Sequence, residues 1–122
     1  MARILVVDDS LFARLNICEM LRGAGHETVE AENGKVALEK VFAVTPDCVL
    51  SDLLMPEMDG IAFLKALREK DSNLPVIVLS ADIQETKRKQ CLDLGTAGFI
   101  SKPPKKDEIL AMVAHILHSR GE

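Results

Sequence analysis

The 122-residue chain carries 15 basic and 19 acidic side chains, for a net charge of −4, and 48% of its residues are hydrophobic. These values predict one folded domain over residues 1–122, with residues 119–122 as a tail or a truncated linker. The acidic balance and the absence of Trp and Tyr argue against nucleic-acid binding, because no basic surface or base-stacking platform is available.

Membrane and disulfide-bonded classes are also disfavoured. No apolar run approaches the ~18 residues needed to cross a bilayer, and the first residues lack a signal-peptide layout, so we expect a cytoplasmic protein. Cys18, Cys48 and Cys91 lie in apolar stretches and never in CxxC spacing. This pattern predicts buried, reduced thiols and neither a disulfide framework nor a zinc site.

Strand-like and helix-like segments alternate along the chain. Short apolar or β-branched runs predict strands at 4–7, 26–31, 48–50, 76–79 and 98–100. Apolar residues at helical spacing predict helices around 11–21, 36–42, 61–67, 83–94 and 109–117. Gly23 and Gly25 end the first helix, Asn33 caps the second and Gly95 ends the fourth. Five βα units predict an α/β fold, with a doubly wound, five-stranded parallel sheet covered by helices on both faces.

Unusual polar residues follow four of the five predicted strands. Asp8 and Asp9 come after the first strand, Asp52 after the third, Ser80 after the fourth and Lys102 after the fifth. Ligands of open α/β sheets bind beyond the carboxyl ends of the strands, so we expect these side chains to converge on one site. A single Asp after a strand is more often a turn former or a helix cap, and only the coincidence of all five supports a site.

Three carboxylates in one cleft favour a bound cation. Two of them ~5 Å apart repel by roughly 3 kcal/mol at an effective dielectric constant near 20. A divalent cation with oxygen ligands, such as Mg²⁺, offsets this cost. Because phosphoryl transfer depends on positioning and charge neutralisation, Asp52 is the predicted nucleophile, with Lys102 and Ser80 contacting the phosphoryl oxygens.

Four ordered segments carry a family resemblance that covers the whole chain. They are residues 5–10 (LVVDDS), 52–60 (DLLMPEMDG), 79–81 (LSA) and 98–103 (GFISKP). These segments resemble the signatures of CheY-like response-regulator receiver domains. The resemblance implies a flavodoxin-like sheet with strand order 2-1-3-4-5.

The resemblance also implies a metal-assisted phosphoacceptor. Asp52 would receive a phosphoryl group from a phosphohistidine on a sensor histidine kinase or phosphotransfer protein. Asp9, Asp52 and the backbone carbonyl of Leu54 would bind Mg²⁺ directly, Mn²⁺ could substitute, and Asp8 would act mainly through water. The chain would be a phosphoacceptor with self-dephosphorylation and not a turnover enzyme.

The resemblance further implies a switch. Lys102 would contact the phosphoryl group, and its peptide bond with Pro103 would be cis. Ser80 would move toward the phosphoryl group while Phe99 swings inward, which would change a surface made by helix four, strand five and helix five. A downstream protein target would bind this surface, and the chain would be a monomer or a phosphorylation-dependent dimer. For Phe99, ordinary core packing is the competing interpretation.

Two features depart from the usual family pattern or bear on its kinetics. Pro104 stands where many members carry a large apolar residue, which stiffens the entry to the last helix. Leu54 and Asp82 lie two residues beyond Asp52 and Ser80, at places that influence the loss of the phosphoryl group in this family. An apolar Leu54 cannot position the attacking water, so we expect slow to moderate self-dephosphorylation.

Other interpretations remain open at this stage. A metal-dependent hydrolase with an aspartyl nucleophile would need a cap or a substrate pocket, for which five βα units leave no room. A receiver-like interaction domain that is never phosphorylated, and a receiver cut from a longer regulator, are further alternatives. His115 and His118 are predicted to be solvated rather than metal-bound, and residues 87–89 (KRK) form a small basic patch that could contact an acidic partner.

Overall fold

The computed structural model describes residues 2–55, 57–70, 72–81 and 84–119. Within that part of the chain, strands and helices alternate as predicted. The strands are β1 Arg3–Val7, β2 Glu27–Ala31, β3 Cys48–Asp52, β4 Val76–Ser80 and β5 Gly98–Ser101. The helices are α1 Leu11–Gly23, α2 Gly34–Val44, α3 Gly60–Glu69, α4 Glu85–Asp93 and α5 Lys106–Ser119.

The strands form one sheet with the order β2-β1-β3-β4-β5, and every neighbouring pair is parallel. This order confirms the doubly wound fold. Parallel strands need a crossover between them, and α1 to α4 supply the four crossovers, whereas α5 follows the last strand. All five carboxyl ends therefore lie along the same edge of the sheet.

Alternate strand residues face two separate hydrophobic layers. Ile4 and Val6 of β1 pack in one layer with residues of α1 and α5. Leu5 and Val7 pack in the other layer with residues of α2, α3 and α4. Because successive side chains of a strand point to opposite faces, helices on both sides of the sheet bury both faces of the central strands.

Local capping explains where several helices begin. The side chains of Ser10, Asn33 and Asp59 each accept a hydrogen bond from a backbone N–H three residues later, at 3.2, 2.9 and 2.8 Å. These are standard N-caps, and Asn33 confirms the cap predicted from the sequence. Gly95, which follows α4, has a φ of +75°, a conformation that glycine adopts without strain.

Several predicted boundaries differ from the structure. Asp52 and Ser80 are the last residues of β3 and β4 instead of following them, because the ladder between parallel neighbours continues to Asp52 opposite Leu79. The last helix begins at Lys106, earlier than predicted, and it includes Ser119. The rest of the predicted tail, as well as Pro56, Asp82 and Ile83, lies outside the described residues.

The first helix is confirmed, but part of its apolar stripe does not face the core. Leu11 and Leu15 are 58% and 45% exposed, whereas Ile17, Cys18 and Leu21 are buried. All three cysteines are free and buried, as predicted. Among the described residues, no helix is both long enough and apolar enough to span a membrane.

Arg68 of α3 links three segments at the opposite edge of the sheet. Its guanidinium donates hydrogen bonds to four carbonyl oxygens at 2.7–3.1 Å, those of Ser72, Leu74, Leu94 and Gly95. The first two precede β4, and the other two follow α4. One side chain thus holds the connection that leads into β4 and the connection that leads into β5.

Replacing Arg68 with Met should destabilise the fold by about 2–3 kcal/mol. The apolar stem is kept, but four carbonyl oxygens lose a charged donor, and partly buried acceptors without a partner are costly. Urea unfolding followed by circular dichroism measures the change. Lys65→Met, at an exposed position of the same helix, is the matched control, and equal stabilities of the two variants would contradict the assignment.

Candidate functional site

Three carboxylates meet at the carboxyl edge of the sheet. Asp8 and Asp9 follow β1, and Asp52 ends the neighbouring strand β3. Each residue offers one oxygen atom, and these three atoms all lie within 4.8 Å of one another. The convergence predicted for the three acidic side chains is therefore present.

Lys102 brings a positive charge to the same place. Its Nζ lies 2.9 Å from Oδ2 of Asp8 and 3.3 Å from Oδ2 of Asp52. Its backbone N–H donates a 2.9 Å hydrogen bond to the carbonyl oxygen of Ser80. The peptide bond between Lys102 and Pro103 is cis. The first, third, fourth and fifth strands therefore all reach the site.

The three acidic side chains are not equivalent. Asp8 is completely buried, and both of its carboxylate oxygens have donors: the Ser10 backbone N–H at 2.9 Å and Lys102 at 2.9 Å. Asp52 is partly buried, and its Oδ1 accepts a 2.8 Å hydrogen bond from the Leu53 N–H. Asp9 is exposed. Asp9 and the partly exposed Asp52, unlike the buried Asp8, are therefore accessible to a ligand.

The pKa shifts follow from this crowding. Burial raises the pKa of the Asp52 carboxyl above its ordinary value; the Lys102 ammonium opposes the shift, and the Asp8 carboxylate reinforces it. Burial acts to lower the pKa of Lys102, but its contacts with Asp8 and Asp52 outweigh this effect and hold it above its ordinary value. Lys102 is thus charged at neutral pH, and a second cation would favour the ionised form of Asp52.

The donor set fits a hard divalent cation. Carboxylate oxygens that can approach one another and retain free lone pairs suit Mg²⁺, which commonly binds through one or two carboxylates plus water and phosphate oxygens. Within the described residues, Asp8, Asp9 and Asp52 are the group with this arrangement. His115 and His118 are both exposed on α5, and no third metal-ligating side chain forms a group with them among the residues that the structure describes.

Two glycines allow the loop after β3 to pack against the site. A Cβ atom on Gly60 would lie 2.5 Å from the carbonyl oxygen of Asp52, and one on Gly34 would lie 2.5 Å from that of Met58. The N–H groups of these glycines donate to the carbonyl oxygens of Leu53 and Met58, both at 2.9 Å. The loop is therefore held between α2 and the end of β3 by backbone contacts.

Ser80 ends β4, and Phe99 lies in the neighbouring strand β5, which leads to Lys102. Ser80 is partly buried at the end of β4, opposite Ser101. Phe99 is partly buried against one core layer, and the Arg88 guanidinium of α4 lies 4.5 Å from the centre of its ring. The sequence indicated Arg88 only as part of a basic patch, because a stacking contact between two elements leaves no local pattern.

Gly60→Ala should disturb the site and lower stability by about 1–3 kcal/mol. The added methyl group meets backbone atoms of Asp52 and Leu53 that cannot rotate away. Urea unfolding gives the stability, and calorimetric titration with Mg²⁺ should show weaker binding because Asp52 is displaced. Gly23→Ala is the control: a Cβ there has no neighbour within 4 Å, so this change should be neutral or stabilise by up to ~1 kcal/mol. Similar losses in both variants would contradict the close-approach argument.

Comparisons with known proteins agree with this geometry. Residues 4–114 match the family model of the response regulator receiver domain. The chain is 40% identical over 117 residues to the chemotaxis protein CheY of Bacillus subtilis. This alignment covers 95% of this chain and 98% of that protein. It is also 41% identical over 104 residues to a protein-glutamate methylesterase/protein-glutamine glutaminase of Archaeoglobus fulgidus, but spans only 30% of that longer protein.

Solved structures show the same architecture. The receiver domain of the Francisella response regulator 1452 superposes with a TM-score of 0.90 at 33% identity, with all of both chains covered. Because the superposition covers the whole chain, it includes the segments that carry the acidic cluster. The chain belongs to the receiver-domain family of two-component response regulators.

Proposed function

We propose that Asp52 is the phosphoacceptor of this receiver domain. The observation that carries the proposal is the position of Lys102, within 3.3 Å of Asp52 and 2.9 Å of Asp8. A phosphoryl group on Asp52 brings nearly two negative charges, and an ammonium already at the site would neutralise part of them. The partly buried Asp52, with one oxygen on the Leu53 N–H, can present its other oxygen to the incoming phosphorus.

The proposed reaction is an in-line phosphoryl transfer. An oxygen of Asp52 forms the new P–O bond while the P–N bond of a phosphohistidine on a sensor histidine kinase or phosphotransfer protein breaks, and the electron pair returns to the imidazole. Bound Mg²⁺ would supply charge neutralisation and orientation of the phosphoryl oxygens. Asp9, Asp52 and the Leu54 carbonyl would hold it directly, and Asp8 through water; Mn²⁺ has compatible oxygen chemistry.

The surface of α4, β5 and α5 is the proposed output of the switch. Phe99 belongs to β5 of this surface, and Ser80 ends the neighbouring strand β4, where its carbonyl oxygen already accepts a hydrogen bond from the Lys102 N–H. A hydrogen bond from the Ser80 hydroxyl to a phosphoryl oxygen would draw β4 inward, and Phe99 would follow into the vacated space. A downstream protein would then bind the altered face. We propose that residues 1–122 act as one such unit in the cytoplasm.

Two alternatives are less well supported. A hydrolase needs a substrate pocket over its nucleophile, and Asp52 lies instead at an open sheet edge beside exposed Asp9. A receiver-like domain that is never phosphorylated has no need for a buried carboxylate–lysine pair beside a second carboxylate. Both alternatives make different predictions in the following experiment.

Incubation with acetyl phosphate and Mg²⁺ should add one phosphoryl group to the chain, seen by intact-mass spectrometry. Asp52→Asn should abolish the addition, since the amide oxygen is a poor nucleophile, and removal of Mg²⁺ with a chelator should do the same. Asp93→Asn, at an exposed position of α4, should be phosphorylated like the wild type. An unmodified wild-type chain would favour the unphosphorylated alternative, and continuous turnover of phosphate esters would favour the hydrolase.

Leu54→Asn should accelerate loss of the phosphoryl group roughly tenfold. The Leu54 side chain is 63% exposed beside the site and cannot orient water, whereas an amide can; orientation alone is worth less than full acid–base catalysis. The decay of phosphorylated protein, followed by intact mass after donor removal, gives the rate. Leu92→Asn is a matched exposed leucine on α4 and should leave the rate unchanged. Equal decay of Leu54→Asn and the wild type would refute the role assigned to Leu54.

A further inference from the structure

Arg14 of α1 connects the acidic loop to the edge strand of the sheet. Its Nη1 donates a 2.7 Å hydrogen bond to the backbone carbonyl oxygen of Asp8. Its Nε donates a 2.9 Å hydrogen bond to Oε1 of Glu30 on β2, an ion pair in which the Arg14 side chain is only 13% exposed. The guanidinium is therefore held at a defined position between β2 and the loop after β1.

The hydrogen bond from Arg14 to the Asp8 carbonyl oxygen restrains the backbone next to Asp9. The Asp8 carbonyl belongs to the peptide unit that joins the two aspartates, and this unit is planar, so fixing its oxygen restrains the backbone from which Asp9 projects. Across the part of the chain that the structure describes, no group donates a hydrogen bond to the Asp9 carboxylate. The direction in which the Asp9 side chain leaves the chain therefore depends on the backbone, which the bond from Arg14 restrains.

Glu30 also neutralises the positive charge of Arg14 through their ion pair. An unpaired guanidinium beside the acidic cluster would repel a divalent cation, whereas a guanidinium paired with a carboxylate adds little net charge. Glu30 is itself anchored, because Lys40 of α2 donates a hydrogen bond to its backbone carbonyl oxygen. Arg14 can thus orient the loop without opposing the cation.

We propose that Arg14, held by Glu30, is a positioning residue that orients Asp9 for binding of a divalent cation. The inference rests on the proposed function, since it assumes that Asp9 and Asp52 bind the cation. Strand β2 contributes no ligand to the cation, but its Glu30 holds the Arg14 side chain that would orient Asp9. Hydrogen bonds that orient ligands commonly change metal affinity by roughly 10–100-fold.

The test is the dissociation constant of Mg²⁺, measured by calorimetric titration of the 122-residue chain. Arg14→Ala should bind Mg²⁺ about tenfold or more weakly while its circular dichroism spectrum stays that of a folded α/β protein. Arg22→Ala is the matched control, because Arg22 also joins α1 to β2, through a 2.9 Å hydrogen bond to Thr28 Oγ1, but does not contact the Asp8–Asp9 loop. This control should bind Mg²⁺ like the wild type.

Glu30→Gln provides a second variant that remains informative if Arg14→Ala does not fold. It keeps an acceptor for Nε but leaves the guanidinium charge unpaired, so Mg²⁺ binding should weaken several-fold. The double variant Arg14→Ala, Glu30→Gln should be no weaker than Arg14→Ala alone, because Glu30 acts through Arg14.

Two results separate this inference from the proposed function. Wild-type affinity for Mg²⁺ in folded Arg14→Ala, or in Glu30→Gln if the first variant does not fold, overturns the positioning role alone. A wild-type chain that binds no Mg²⁺ overturns the metal-assisted phosphoacceptor and the positioning role together.

Discussion

The buried ion pair between Asp8 and Lys102 is the contact on which the rest of the site depends. Asp8 is fully buried at the end of β1, and an unpaired charge there would be strongly destabilising. Lys102 satisfies it from a position 94 residues later in the chain, which ties the β5 end of the sheet to β1. With Asp8 occupied by Lys102 and Ser10, the neighbouring oxygens of Asp9 and Asp52 remain available to a cation and a phosphoryl group.

The surrounding elements hold this arrangement mainly through backbone contacts. The loop after β3 packs close because Gly60 and Gly34 carry no side chain, and the loop after β1 is tied to β2 through Arg14. A phosphoryl group needs preorganised charges rather than a deep pocket, so an open sheet edge with restrained loops suits the proposed chemistry.

Much of the fold could be predicted because its elements are strongly patterned. Short apolar strands, helical periodicity and the Asn33 cap are local properties, and all five strands and five helices were found where these patterns placed them. The errors lie at the ends of elements and in solvent exposure. The extension of β3 to Asp52 depends on the ladder with β4, and the exposure of Leu11 and Leu15 depends on how α1 packs against the rest of the fold. Neither property is encoded in periodicity.

The sequence by itself determined the fold class and the types of residue at the strand ends, because parallel topology brings every carboxyl end to one edge. It could therefore predict that Asp8, Asp9, Asp52 and Lys102 would meet. Only the tertiary structure decided which oxygen pairs with Lys102, which carboxylates stay open, that Gly60 must lack a side chain and that Arg14 reaches the Asp8 carbonyl. These are distances between atoms far apart in the chain, and they arise only when packing fixes the loops against one another.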